Sequence, residues 1–85
     1  MKQIIHIFGI PGTGKSVLAD LIIAGLGNGL TGVEVHHFDR LHHYQEILED
    51  EGRRYDFLIF TGHTKPPPAE MLKTGDWVIS MARVP

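Results

Sequence analysis

Hydrophobic residues fall in short blocks separated by glycine and proline, and the spacing within each block predicts its element. Gln3-Ile4-Ile5-His6-Ile7-Phe8 is short, rich in β-branched residues and stopped by Gly9, which predicts a buried strand. Lys15–Leu26 follows helical spacing, with Val17, Leu18, Leu21, Ile22 and then Gly25 and Leu26 on one apolar side. Gly27-Asn28-Gly29 ends that helix with residues that tolerate positive φ. Gly32 introduces a second strand, Val33–Phe38, finishing at Asp39. Leu41–Asp50 reads as a helix with Tyr44, Ile47 and Leu48 facing the core, Glu46, Glu49 and Asp50 facing out, and Gly52 closing it. Tyr55–Phe60 is an aromatic and aliphatic strand bounded by Arg53-Arg54 and Thr61-Gly62. Pro66-Pro67-Pro68 cannot lie inside a strand or helix, so Thr61–Pro68 is expected to be an extended loop. A short helix at Ala69–Lys73, ended by Gly75, and a fourth strand at Trp77–Val84 with Trp77 in the core complete the pattern.

The order β-α-β-α-β-(α)-β with short links predicts an α/β fold, a minimal three-layer α/β/α domain around a mainly parallel four-stranded sheet. Residues 1–85 form one domain, without repeats or linkers. In such a sheet ligands bind beyond the carboxyl ends of the strands. Three segments converge there: Gly9–Ser16, Asp39-Arg40 and Thr61–His63.

Composition narrows the classes of function. The chain has 85 residues, 42% hydrophobic and 21% charged, with a net charge of −2, and its eight Lys and Arg are scattered. A general nucleic-acid surface is therefore not expected. The absence of cysteine removes disulfides, thiol nucleophiles and Cys-based metal sites. No signal peptide or membrane span is expected, and a cytoplasmic location follows. A thin core and two open sheet edges imply self-association or docking on a larger protein.

The first candidate chemistry is Gly9-Ile10-Pro11-Gly12-Thr13-Gly14-Lys15-Ser16, which spells G-x-x-x-x-G-K-S between a strand and a helix. Glycines allow the backbone to turn its N–H groups inward, and the following helix N-terminus adds partial positive charge. The motif, the phosphate-binding loop or Walker A, predicts nucleotide contacts from Gly9 through Val17: Gly9, Ile10, Pro11, Gly12, Thr13, Gly14, Lys15, Ser16 and Val17. Lys15 would reach the β- and γ-phosphates, and the Ser16 hydroxyl would bind Mg²⁺ accompanying ATP or GTP.

On these residues the chain resembles the P-loop NTPase superfamily over nearly its whole length. The Gly9–Ser16 loop is similar to that of adenylate-kinase-like small-molecule kinases, as is the acid ending Val35-His36-His37-Phe38-Asp39. The resemblance implies that such an acid contacts the acceptor or the Mg²⁺ shell. Tyr55–Phe60, the proline loop and Gly75-Asp76-Trp77-Val78-Ile79-Ser80 look like segments of partition and septum-site ATPases, whose signature lysine is replaced here by Ile10. In both branches a carboxylate ends the third strand; here Thr61 stands there. A hydroxyl cannot supply that negative charge. Two readings stay open: Asp39 provides the carboxylate as metal ligand and catalytic residue beside Lys15, or the site binds nucleotide and hydrolyses it slowly or not at all. The functions implied are a weak Mg²⁺-dependent NTPase, a small-molecule kinase, or a non-hydrolysing interaction module. The kinase lid, rich in arginine, would have to follow the fourth strand, where 85 residues leave no room.

Other residues carry less. Asp39 also suits the N-cap of the Leu41 helix, and Asp56 opens its strand at the opposite end of the sheet. Arg40 is the arginine nearest the predicted site. His36 and His37 should face opposite sides of a strand, His42 and His43 diverge on a helix, and no zinc spacing appears. His42 with Glu46 makes an exposed i,i+4 pair. His63, in the loop after the third strand, is a candidate for positioning water or an acceptor.

Overall fold

The computed structural model describes residues 3–38 and 41–82. Asp39 and Arg40, expected at the end of the second strand, and Val84, expected in the fourth, lie outside the described residues. Strands β1 (Gln3–Phe8), β2 (Gly32–Val35), β3 (Phe57–His63) and β4 (Trp77–Ser80) form one all-parallel sheet in the order β2-β3-β1-β4. Helix α1 (Lys15–Gly25) joins β1 to β2, α2 (Leu41–Gly52) joins β2 to β3, and a 3₁₀ turn (Ala69–Met71) precedes β4.

Alternation along β1 and β3 divides the core into two halves. Ile4, Leu58 and Phe60 pack with Tyr44 of α2 and Met71, whereas Ile5, Ile7 and Ile59 pack with Ala19 of α1. The helices therefore cover opposite faces, and the fold is the expected three-layer α/β/α arrangement. Helix α2 presents Tyr44, Ile47 and Leu48 inward, as its spacing predicts. At the amino end of the sheet the Asp56 carboxylate accepts the Thr31 backbone N–H at 3.0 Å, a structural role.

The structure corrects several expectations. Helix α1 turns Leu18, Ala19, Ile22 and Ile23 to the sheet, leaving Val17 and Leu21 more than 60% exposed. Ala19 is fully buried, and its small side chain lets the helix lie close against the sheet. Strand β2 ends at Val35 rather than at Phe38. Strand β3 continues through Thr61 and Gly62 to His63, because pairing with β1 resumes at Phe8↔His63 after a register shift. The extended loop accordingly starts only at Thr64. Trp77 is 55% exposed instead of buried. It sits on the edge strand β4, which α1 leaves uncovered while packing over β2, β3 and β1. Among the described residues no helix is long and apolar enough to cross a membrane.

Candidate phosphate-loop site

Residues 9–14 carry the chain from the centre of the sheet into α1. The Gly9 N–H donates to the His63 carbonyl at 3.1 Å, tying the start of the loop to the end of β3. A Cβ on Gly9 would collide with the Met81 carbonyl oxygen, so only glycine fits between these two strand ends. Gly14 holds φ 88° and ψ 23° at the N-cap of α1, a left-handed conformation that glycine takes without steric cost. As a glycine, Gly14 has no side chain to cap the first-turn N–H groups of the helix. The Thr13 hydroxyl donates to the Ile10 carbonyl at 2.9 Å and closes the outer turn. Lys15 folds back over the loop, its Nζ donating to the Gly9 carbonyl and, at 3.4 Å, to the His63 carbonyl.

Beside this loop lies a cavity of about 370 Å³. Pro11, Gly12, Gly14, Lys15, Ser16 and Val17 form one wall, facing His36, Thr61, Gly62 and Thr64. The expected convergence of the Gly9–Ser16 loop with Thr61-Gly62 is thus present. Gly9, Ile10 and Thr13 belong to the loop but do not line the cavity. Of its lining side chains Val17 is largely exposed.

A carboxylate that strand spacing alone did not bring forward stands behind the cavity wall. Val33 and Val35 of β2 turn toward the α2 side, so alternation sends Glu34 to the other face, toward the start of α1. Glu34 Oε2 accepts from Ser16 Oγ at 2.7 Å and from Thr61 Oγ1 at 2.6 Å. The Thr61 hydroxyl has one proton and gives it to Glu34. Its contact with His36 Nδ1 at 3.2 Å must therefore run from a ring N–H to the hydroxyl oxygen, a tautomer assigned from the network. Thr61 is fully buried, and these three bonds connect β2, β3 and α1.

On the α2 side the structure buries a second polar group. His6 Nε2 lies 3.5 Å from the Asp76 carboxylate and 3.3 Å from the Tyr44 hydroxyl. Tyr44 donates its proton to the Met71 carbonyl at 3.1 Å, so toward His6 its oxygen is the acceptor and Nε2 carries the proton. Burial lowers the His6 pKa against the opposing pull of Asp76, so the imidazole is neutral and the contact is a hydrogen bond rather than an ion pair. The His63 ring packs 5.5 Å from His6 and 4.7 Å from Phe38, between ring centroids. Its pKa falls to about 4 through burial first, then through His6 and Lys15. His6 Nδ1 and His63 Nε2 are buried without a hydrogen-bond partner among the described residues.

His63, expected to position water or an acceptor, borders a second cavity beside the first together with Phe38 and Met71. Its backbone carbonyl, not its ring, touches the loop and Lys15, while the ring belongs to the core. His36 and His37 lie past the end of β2, where alternation no longer applies, and their rings meet edge-on at 4.8 Å. His42 pairs with Glu46 at 2.8 Å on the exposed side of α2. Asp39, the expected acid, lies outside the described residues. Among those described, no three His, Asp or Glu side chains gather as a metal site by themselves. No protein-family model, curated protein or solved structure matches the chain.

Proposed function

We propose that this chain binds the phosphates of a nucleoside triphosphate, ATP or GTP, together with Mg²⁺ in the cavity beside the Gly9–Ser16 loop, and hydrolyses it slowly. The observation that supports this reading is the placement of Lys15, Ser16 and the uncapped start of α1 along one wall of a cavity at the carboxyl ends of a parallel sheet. The helix N-terminus favours negative charge, the loop backbone approaches closely through its glycines, and Lys15 supplies a mobile full charge. Bound phosphate would draw Nζ away from the two carbonyls that hold it. Ser16 presents a hard oxygen suited to Mg²⁺, whose remaining ligands would come from phosphate and water. Magnesium there would neutralise charge on the phosphates.

Lys15→Ala should abolish binding of ATP and GTP in equilibrium dialysis while the circular dichroism spectrum is preserved. Unchanged affinity would exclude the loop as the phosphate site.

One observation favours transfer to a second molecule. A cavity of about 420 Å³ lined by Phe38, His63, Lys65, Pro66, Pro68 and Met71 shares Gly62 and Thr64 with the first. Its walls, part apolar and part polar with one lysine, suit a small molecule carrying an anionic group. Phosphate release without any added acceptor supports hydrolysis; release that requires an added acceptor supports the kinase.

A further inference from the structure

We propose that Glu34 is the positioning carboxylate of the divalent-cation site, acting from behind the cavity wall through the Ser16 hydroxyl and held there by the buried Thr61 hydroxyl. The inference rests on the phosphate-site reading and assigns to mid-strand β2 the negative charge that the end of β3, with Thr61, does not carry.

Ser16 and Thr61 both line the cavity, and both hydroxyls point their hydrogens away from it, toward the same oxygen of Glu34. A hydroxyl that donates backward keeps its lone pairs for the other side. Ser16, exposed on the wall, thus offers two, whereas Thr61, fully buried and also accepting from His36 Nδ1, holds the carboxylate in place. Donation to a carboxylate also raises the electron density on the hydroxyl oxygen, as a carboxylate behind a metal-bound imidazole does. The neutral Ser16 oxygen becomes a better ligand for a hard cation, and the full negative charge stands within one hydrogen bond of it.

The arrangement suits Mg²⁺ in particular. That ion takes oxygen ligands, keeps several waters, and needs only one or two carboxylates when phosphate supplies the rest. A single acid behind the Ser16 hydroxyl fits that demand, with phosphate and water supplying the other ligands. His36 gives the assembly its direction: its ring N–H fixes the Thr61 hydroxyl, which fixes the carboxylate.

Glu34→Gln separates charge from shape, because the amide keeps an acceptor oxygen for Ser16 and Thr61 but loses the negative charge. Calorimetric titration of wild type and variant with ATP and GTP, in EDTA and in MgCl₂, gives four affinities for each nucleotide. Mg²⁺ should tighten binding to wild type, and Glu34→Gln should lose at least about tenfold of that gain. Metal-free affinity should match wild type, which also shows that the variant is folded. A variant that retains the full Mg²⁺ gain overturns the proposal, since a purely structural acceptor would be satisfied by glutamine. Glu34→Asp, which keeps the charge but withdraws it from the hydroxyls, should fall between the two, and loss as large as with glutamine still requires contact. If wild type binds neither nucleotide, with or without metal, the phosphate-site reading itself fails.

Discussion

Acidification should unfold this domain earlier than its surface carboxylates alone would require, and His63 is the reason. Its side chain belongs to a residue only 8% exposed, its Nε2 has no hydrogen-bond partner among the described residues, and its ring packs against His6 and Phe38. Burial, reinforced by His6 and Lys15, brings its pKa from an ordinary 6.5 to about 4. In the unfolded chain the ring takes up a proton near its ordinary pKa, whereas the folded chain refuses it until about pH 4. Between these values the unfolded state binds more protons, so stability is complete above about pH 6.5 and declines as the pH falls toward 4. A shift of this size corresponds to roughly 3 kcal/mol. That is a large part of the 5–15 kcal/mol, roughly, that holds a typical domain together. His6 is lowered in the same direction and adds to the loss. The assay is urea unfolding followed by circular dichroism between pH 7 and pH 4, on wild type and His63→Leu. Leucine has similar volume, does not titrate and leaves no orphaned nitrogen. The stability of the variant should fall less over this range, by an amount of the order given. Parallel curves for the two proteins would refute the reasoning and place the acid sensitivity elsewhere.

Two further substitutions probe the supports of the site. Tyr44→Phe removes the donor to the Met71 carbonyl and the acceptor beside His6 Nε2, and should cost about 1 kcal/mol in equilibrium denaturation. Gly9→Ala drives a methyl group into the Met81 carbonyl and toward Thr13 Oγ1, and should cost more than about 2 kcal/mol, read as a lowered melting temperature.

Elements whose signal is local were legible in the sequence. Helix α2 follows its spacing from Leu41, and β1 has the predicted limits because Gly9 stops it. Strand β3 runs from Phe57 to His63, displaced along the chain from the Tyr55–Phe60 expected because Thr61-Gly62 looks like a terminator. Only its parallel partner, through the Phe8↔His63 pairing, explains why it continues. The inward face of α1 was misjudged because hydrophobicity marked Val17 and Leu21, whereas closeness of packing selected Ala19. The loop motif located the cavity, but not the acid behind it. Glu34 was visible as a charge flanked by Val33 and Val35, which fixes the face it occupies relative to them. What lies over that face depends on where α1 crosses the sheet, and no residue of β2 encodes that. The same holds for His63, whose carbonyl and ring take up different tasks only because β1, β3 and Lys15 meet at one point.

The pairing pattern of β1 also bears on how the chain reaches this state. Gln3 lies beside Phe57 and Ile5 beside Trp77, so the central strand finds both partners late in the sequence. Every strand pair is parallel, so no hairpin can form early and serve as a template. Loop-closure entropy must be spent before the sheet returns any energy, which slows folding relative to helical domains of this length. During synthesis the apolar Ile4-Ile5-His6-Ile7-Phe8 segment emerges before both of its strand partners. Until β3 arrives, that stretch is the part of the nascent polypeptide most in need of protection from aggregation.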